Sequence, residues 1–281
     1  MTAAEPLTIG LIGAGRVGAV VAAALRAAGH RLVATTANSD TSRARAARLL
    51  PGVTVGAVGE VARAADDLLL IAVPDDVLPE VAKHVTGSRF VAHTSGVHGT
   101  SVLGSAGGLA LHPAMTFTGE PADLDRLPGI AWGVTASDRA FAARLVADLR
   151  GVPEWIAEPD RVLYHAGLAH GANHLVTLVN EASDLLRAAG VEHPEIVLRP
   201  LLGAALDNAL RLGDAALTGP VSRGDVGTVD KHLGSLPAGL VPTYIALARR
   251  TADRAVAAGR LRPDQAARVL RALAGGGEEA S

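Results

Sequence analysis

Three glycines near the start of the chain have the spacing of a phosphate-binding turn. Gly13, Gly15 and Gly18 follow a short apolar run and precede an alanine-rich segment. In a G-x-G-x-x-G turn the first glycine makes a tight bend, the second lets the backbone approach a pyrophosphate, and the third lets helix and strand pack closely. The helix that begins near Arg16 and Val17 would turn its free N–H groups to the phosphates. These five residues are predicted to bind a dinucleotide. The alternative is that the glycines serve only the turn and its packing.

The residues after the second predicted strand bear on which dinucleotide is bound. An NAD site places Asp or Glu about 20 residues after the glycines, where it holds the ribose hydroxyls. Asn38 occupies that position here, with Ser39 next and Arg43 just beyond. Neutral side chains and a nearby guanidinium suit a 2′-phosphate, so we predict NADP in preference to NAD. Asp40 keeps NAD open, because a small shift of the turn would bring its carboxylate to the ribose.

The fourth predicted strand ends in a turn that suits the nicotinamide end of the cofactor. Its apolar run ends at Val73 and Pro74, and Asp75 and Asp76 follow. So apolar a run is typical of a strand buried on both faces. We predict that Val73 and Pro74 lie against the ribose and nicotinamide. The alternative is an ordinary strand-to-helix turn capped by one of the two aspartates.

Hydroxyl and imidazole groups follow the fifth and sixth predicted strands. The fifth strand ends near His93 and Ser95, His98 comes soon after, and the sixth strand ends at His112. Histidine is the common acid–base residue near neutral pH, although a structural role is the alternative for each of these. Ser95 precedes a glycine and can offer both its Oγ and its backbone N–H to a carboxylate or carbonyl. We therefore predict that Ser95 contacts the substrate.

The helix predicted from Asp160 to Ala189 carries a neutral polar face. His170 and Asn173 lie opposite an apolar stripe when residues are plotted at about 100° each. Solvated faces usually carry Lys, Glu and Arg, so this face is predicted to line an enclosed cleft. The alternative is an amphipathic helix whose polar face is open to solvent. His170 and His174 also have the i, i+4 spacing of two metal ligands on a helix. No nearby acid completes the set, so we predict no metal site, and a metal-dependent dehydrogenase is a less favoured alternative.

The alternation of short apolar strands with helices predicts the architecture that positions these residues. Up to about residue 158 the pattern is that of a doubly wound, mainly parallel α/β sheet of the Rossmann type, and helical periodicity dominates afterwards. We predict an NAD(P)-binding domain over 1–158, an all-helical substrate and dimerisation domain over 159–274, and a disordered tail over 275–281. The predicted strands are Leu7–Ile12, Arg31–Thr36, Val53–Val55, Asp67–Val73, Arg89–Thr94, Leu109–His112, Ile130–Thr135 and Pro153–Ile156. The predicted helices are Gly15–Ala28, Thr41–Leu50, Val77–His84, Asp138–Leu149, Asp160–Ala189, Glu195–Leu210, one around Asp225–Gly234, Ala238–Ala258 and Pro263–Ala274.

Composition excludes several classes of protein. The chain has 281 residues, of which 49% are hydrophobic, a formal net charge of −2 and no cysteine. A disordered chain is excluded, as are disulfides, thiolate metal sites and a Cys nucleophile. The charge gives no reason to expect nucleic acid or an acidic membrane as a partner. Residues 1–6 lack the pattern of a secretory signal, and no run is apolar enough to span a membrane, so we expect a cytoplasmic protein.

Taken together, these residues resemble a bacterial family in which a Rossmann-like domain precedes a helical domain of unknown function. That family is related to the pyrroline-5-carboxylate reductases, ketopantoate reductases and β-hydroxyacid dehydrogenases. The matching segments are Gly13–Gly18, Ala72–Asp75, His93–Gly96, Leu111–Pro113, His165–Asn173 and Ala216–Asp225. The resemblance implies NADP-dependent reduction of a C=O or C=N bond in a small oxo acid or imine. It also implies a helical domain that closes the cleft and contributes to a homodimer.

One departure from the related reductases affects the chemistry. The β-hydroxyacid dehydrogenases and ketopantoate reductases carry a catalytic Lys at the position of Ala169 and an Asn at the position of Asn173. The ammonium that would protonate the developing alkoxide is therefore absent, although a hydride acceptor still needs a proton or strong hydrogen bonds. We expect Ser95 and Asn173 to orient the substrate, and His170 or His165 to assist proton transfer. A non-catalytic NADP-binding sensor, which the missing lysine favours, is the alternative function.

Overall fold

The computed structural model of the chain describes residues 5–85, 87–104 and 108–278, and these form two compact units. The first unit ends at Asn173 and the second begins at His174. The division falls later than residue 158, where strand signals end, because the helix that starts at Arg161 is hydrogen-bonded to the sheet through Ser95 and Thr135. The side chains that follow the last strand therefore belong to the sheet unit.

The described residues of the first unit form an eight-stranded sheet in the order β3-β2-β1-β4-β5-β6-β7-β8. All neighbouring strands are parallel except β6 and β7, which pair antiparallel. The predicted Rossmann-type fold is confirmed, with all eight strands found close to their predicted bounds. Numbered in chain order, strands β1 to β8 are Thr8–Ile12, Arg31–Thr35, Thr54–Val55, Leu68–Ile71, Phe90–His93, Gly108–Pro113, Ala131–Ala136 and Val152–Trp155.

Helices cover both faces of this sheet, which explains the continuous apolar run of β4. Leu68 and Leu70 point to the core that contains α1 and α5, whereas Leu69 and Ile71 point to the core under α3 and α4. Both faces of a parallel sheet are buried in this way in doubly wound folds. The helices of this unit are α1 (Arg16–Ala27), α2 (Asp40–Leu49), α3 (Val58–Ala64), α4 (Leu78–Lys83), α5 (Arg139–Asp148) and α6 (Arg161–Leu168), followed by a π-helical turn at Ala169–Asn173. The sequence did not predict α3 or the π-helical turn.

The second unit is helical, as predicted, and its core joins α10, α11 and α12 through residues such as Val229, Ala252 and Leu273. Its helices are α7 (His174–Ala188), α8 (Pro194–Leu212), α9 (Pro220–Arg223), α10 (Val226–Ser235), α11 (Val241–Ala257) and α12 (Pro263–Glu278). Helix α12 continues past Ala274, so the first part of the tail expected to be disordered is helical as far as Glu278. The rest of that tail, residues 279–281, lies outside the described residues. In the part of the chain that is described, every helix is too short or too polar to cross a membrane.

Candidate active site

The glycine turn between β1 and α1 has the geometry that the sequence predicts. A Cβ at Gly13, whose φ is +100°, would lie 2.4 Å from the carbonyl oxygen of Ala72. A Cβ at Gly18 would lie 2.2 Å from the oxygen of Gly13, so both positions require glycine. At Gly15, in contrast, the nearest atom to such a Cβ is 3.8 Å away, and no side chain caps the helix that Gly15 begins. The turn therefore holds strand and helix together at two glycines and leaves the third open to a ligand.

A cavity of about 340 Å³ lies against this turn and contains most of the predicted cofactor residues. Among the residues that line it are Gly13, Gly15, Asn38, Ser39, Val73 and Pro74. The other predicted cofactor residues do not line it: Arg16 is exposed, Val17 packs on the core, Gly18 is a buried packing residue and Arg43 pairs with Asp40. The open N-terminus of α1 and the glycine-lined wall fit the pyrophosphate of a dinucleotide.

The end of β2 presents neutral polar groups to this cavity. Ser39 caps α2 by accepting a hydrogen bond from the backbone N–H of Ser42 at 3.1 Å, and both serines line the cavity with Asn38. The carboxylate of Asp40 is fully exposed and lies 2.6 Å from Arg43 Nη2. No Asp or Glu is among the residues that line this cavity in the described part of the chain.

His93 at the end of β5 is a structural residue. Its Nδ1 accepts a hydrogen bond from the N–H of Ser95 at 3.1 Å, so its proton is on Nε2, which donates to the oxygen of Gly99 at 2.9 Å. Complete burial lowers the pKa of His93 to about 4, which keeps the imidazole neutral. Ser95 is buried as well, and its Oγ accepts a hydrogen bond from the N–H of His98. Ser95 thus shapes the loop after β5 and lines neither of the two cavities described in this unit.

Glu158, which precedes α6, fixes the far end of this loop. Its carboxylate accepts hydrogen bonds from the N–H groups of Thr100 and Ser101 at 2.9 and 3.0 Å, and from the Thr100 hydroxyl at 3.1 Å. Burial opposes ionisation, but these hydrogen bonds outweigh it and lower the pKa of Glu158 to about 2. Gly99 has no room for a Cβ because the carboxylate occupies that space.

Arg161, the first residue of α6, is a fully buried cation held by backbone and hydroxyl oxygens. It donates to the oxygen of Ser95 at 2.7 Å, to Thr135 Oγ1 at 3.1 Å and to the oxygen of Gly133 at 3.4 Å. Its Nε has no acceptor, and none of the ion pairs among the described residues includes it. Burial lowers the pKa of Arg161 from its usual high value. A positive charge without a carboxylate partner is therefore present within the first unit.

A second cavity, of about 250 Å³, lies where β6 ends and α6 passes into the π-helical turn. It is lined by His112, Ala114, Met115, Thr116, His165, Leu168, Ala169, Ala172 and Asn173. The predicted site residues His165 and Asn173 are thus brought together, with Ala169 beside them. His170 is exposed and is not part of this lining. A π-helical turn inside a helix is frequent at functional sites.

His112 and Tyr164 form a pair beside this cavity that the sequence did not predict. The Tyr164 hydroxyl lies 3.0 Å from His112 Nδ1, and the His165 ring stands edge-on to the His112 ring with centroids 5.9 Å apart. Burial, with help from His165 and Arg161, lowers the pKa of His112 to about 4. Burial raises the pKa of Tyr164. The sequence indicated that His112 follows a strand, but no local pattern connects it to Tyr164.

Among the described residues, the candidate site included, no group of three or more His, Asp or Glu side chains has the arrangement of a metal site.

Two family models match successive parts of the chain. Residues 2–113 match the Rossmann-like domain, and residues 130–251 match the domain of unknown function DUF2520. The chain is a Rossmann-like protein with a DUF2520 domain. The glycine turn and His112 lie in the Rossmann-like match, whereas Glu158, Arg161 and Tyr164 lie in the DUF2520 match. The cluster around the second cavity therefore combines residues from both family segments.

Several solved structures are similar to this chain, and their alignments cover most of its length. A candidate NADP oxidoreductase from Bacteroides fragilis aligns with a TM-score of 0.72 at 22% identity, covering 88% of this chain and 98% of that one. A pyrroline-5-carboxylate reductase from Streptococcus pyogenes aligns with a TM-score of 0.61 at 16% identity, covering 90% and 99%. The Plasmodium falciparum pyrroline carboxylate reductase, solved with NADP bound, aligns with a TM-score of 0.55 at 12% identity, covering 99% of each chain. The chain thus has the fold of Rossmann oxidoreductases, and no curated protein matches it in sequence.

Proposed function

We propose that this protein is an NADP-dependent oxidoreductase that reduces a C=O or C=N bond of a small oxo acid or imine. The observation that carries the proposal is the occurrence of two cavities at one edge of the sheet. One lies on the glycine turn, and the other is lined by His112, His165 and Asn173. The carboxyl ends of parallel strands are where open α/β sheets bind their ligands. Bound NADPH would supply the hydride for such a reduction.

The preference for NADP over NAD is supported by the groups at the end of β2. Asn38, Ser39 and Ser42 offer an amide and two hydroxyls, and the N-terminus of α2 is favourable for an anion. Arg43 lies beside these groups, since its Nη1 donates to the carbonyl oxygen of Ala37 at 3.3 Å. Its positive charge would therefore attract a 2′-phosphate bound there. A carboxylate that would select the ribose hydroxyls of NAD is not found in the lining of the cavity, among the residues described.

In the second cavity we assign the orienting role to Asn173 and His165. Both line the cavity and offer hydrogen-bonding groups to a carbonyl or imine. We assign no substrate contact to Ser95 or His170, although the sequence predicted both of them at the substrate. Ser95 instead holds the loop after β5, through its contacts with His98 and Arg161.

Binding of reduced cofactors tests this proposal directly. We expect NADPH to bind at least about tenfold more tightly than NADH, which corresponds to about 1.4 kcal/mol. Nicotinamide fluorescence during titration would measure both dissociation constants. Asn38→Asp should weaken NADPH far more than NADH, because its carboxylate would repel a 2′-phosphate. Asn208→Asp on α8 is the matched control and should change neither constant. Absence of binding by either cofactor would overturn the proposal.

A non-catalytic NADP-binding sensor is the second candidate, and Ala169 favours it. This residue lines the second cavity at the position where related reductases carry lysine. Incubation of the protein with NADPH and a panel of oxo acids and cyclic imines separates the two functions. A reductase oxidises NADPH with at least one compound. A sensor binds NADPH tightly and leaves it unoxidised with every member of the panel.

A further inference from the structure

Two glycines make room for an unusual pair of side chains beside the second cavity. Gly133 faces His112 across the antiparallel pairing of β6 and β7. A Cβ at Gly133 would lie 2.4 Å from the Tyr164 hydroxyl oxygen. The bare backbone at this point is therefore what allows the Tyr164 hydroxyl to come within 3.0 Å of His112 Nδ1.

The second glycine makes room for two imidazoles. A Cβ at Gly96 would lie 2.4 Å from His165 Cδ2 and 3.1 Å from His112 Nε2. Nδ1 of His112 is engaged by Tyr164, whereas its Nε2 has no hydrogen-bond partner within the residues that the structure describes. His112 lines the 250 Å³ cavity, and Nε2 is its ring nitrogen that Tyr164 leaves open to a ligand.

A fixed positive charge completes the arrangement. The guanidinium carbon of Arg161 lies 6.0 Å from the centre of the Tyr164 ring. Three oxygen acceptors hold this guanidinium, and no carboxylate forms an ion pair with it among the described residues. A nearby cation stabilises a phenolate over a phenol, and it acts in this direction on the pKa of Tyr164, against the larger effect of burial.

We propose that His112 donates the proton to the reduced oxygen or nitrogen, and that Tyr164 replaces this proton through its hydroxyl. This inference rests on the reductase function proposed above. The N–H bond at His112 Nε2 breaks as the new O–H or N–H bond forms on the product. The O–H bond of Tyr164 breaks as an N–H bond forms at Nδ1, and Arg161 stabilises the phenolate. A proton from solvent then binds His112 Nε2, and the Nδ1 proton returns to the Tyr164 oxygen, which restores the starting tautomer. The relay moves protons only, and the two electrons of the reduction arrive with the hydride.

The burial of His112 and the charges around it explain why a relay is needed. The titratable groups that face it are His165, Arg161 and Tyr164 on α6, His93 on β5 and Asp75 after β4. Burial is the main cause that lowers the pKa of His112 to about 4, and His165 and Arg161 add to it. The imidazole is then neutral near pH 7, so it can give up its Nε2 proton only if Nδ1 gains another. Tyr164 is the group within hydrogen-bond distance that can supply it.

The ground state of the relay can be tested without turnover, by nitrogen NMR of the histidines. We expect His112 to be the Nε2–H tautomer in the wild-type protein, because its Nδ1 accepts from Tyr164. Tyr164→Phe should remove this preference. The chain contains two tyrosines, and Tyr244 forms the same kind of pair with His232 Nδ1 at 2.9 Å. Tyr244→Phe is therefore the matched control and should leave the His112 signals unchanged. An Nδ1–H tautomer at His112 in the wild-type protein would overturn the relay.

Turnover with a compound that oxidises NADPH tests the catalytic step. We expect His112→Gln to lower kcat by about 100-fold or more, as for loss of a general acid, with little change in KM. Tyr164→Phe should lower kcat less, and Gly133→Ala should act like Tyr164→Phe because it pushes the two groups apart. Gly167→Ala, at a helical glycine with free space around it, is the control for the last variant. Circular dichroism would verify that each variant folds.

The possible results separate the relay from the reductase function. If the wild-type protein oxidises NADPH and His112→Gln and Tyr164→Phe do so at the same rate, the relay is wrong and the reductase function stands. If the wild-type protein binds NADPH but reduces no compound of the panel, the reductase function fails and the relay fails with it.

Discussion

Two side chains in different states of charge hold the loop after β5: His93 is buried, and Glu158 is partly buried. His93 is neutral because burial lowers its pKa to about 4, and Glu158 is ionised because three hydrogen bonds lower its pKa to about 2. The sequence marked His93 only as one of several histidines after strands. Burial decides between a structural and a catalytic histidine, and burial depends on neighbours that are distant in sequence. Glu158 was missed for the same reason, since it binds Thr100 and Ser101 across the fold.

The neutral state of His93 predicts a loss of stability in mild acid. An unfolded histidine has a pKa near 6.5, so protons bind the unfolded chain more tightly than the native one. The contribution of His93 is complete above about pH 6.5 and is lost as the pH falls toward 4, by about 3 kcal/mol in all. Urea unfolding at a series of pH values would measure this loss. His112 adds to it with the same sign.

Substitution isolates the share of this loss that His93 causes. His93→Gln should be less stable at neutral pH but should show a shallower fall in unfolding free energy between pH 7 and 4. His84→Gln, which changes an exposed histidine on the surface, is the control and should keep the wild-type slope. Equal slopes in all three proteins would contradict the assignment of the acid sensitivity to His93.

At the scale of elements, the sequence predicted the strands well because their signals are local. The apolar run of β4 and the glycine turn before α1 are visible in short windows, and both lie where predicted. Helix α3 was missed because it is short and because its packing depends on Gly10 of β1. A Cβ at Gly10 would lie 2.8 Å from Ala65 Cβ, so α3 approaches the strand unusually closely. Such a contact involves two elements and cannot be read from either one alone.

The candidate site was predicted in part, and the site residues that the sequence did not predict share one property. Asn173, His165 and Ala169 were found because they lie on one predicted helix, and they line the second cavity together. Arg161 and Tyr164 were missed because their partners are distant in sequence, as in the bonds from Arg161 to Thr135 on β7 and from Tyr164 to His112 on β6. His170 was predicted on the same face as Asn173, but the helix is π-helical at Ala169–Asn173, and only Asn173 of the two lines the cavity.

The contact between α1 and β1 predicts that Gly18 tolerates no side chain. Gly18→Ala would place a Cβ 2.2 Å from the oxygen of Gly13 and 2.7 Å from Ala72 Cβ. We expect it to lower the free energy of unfolding by about 1–3 kcal/mol, the usual range for overpacking, and to weaken NADPH binding. Urea unfolding and cofactor titration would measure the two effects. Gly234→Ala on α10, where the added Cβ meets open space, should cost no stability. Wild-type stability in Gly18→Ala would show that the turn can relax.

At the scale of the whole molecule, the second unit exposes a large apolar surface that its own core does not bury. More than half of the exposed large apolar side chains of the described residues lie on α7 and α8. They are Leu175, Val176, Ile196, Val197, Leu201, Leu206, Leu210 and Leu212. Helix α7 has no buried residue among those described, and it packs with α8. Apolar surface of this extent usually marks an interface between proteins.

We propose that a second copy of the chain covers α7 and α8, since one two-fold axis would bury the same apolar face on both copies. Sedimentation velocity of the wild-type protein should then show a dimer. Leu210→Glu, at a side chain that is 79% exposed, should shift the protein toward the monomer, because the dimer would have to bury an unpaired carboxylate. Leu247→Glu on α11 makes the same change at an exposed leucine of another helix and should leave the dimer intact. A wild-type protein that sediments as a monomer at every concentration tested would exclude this assembly.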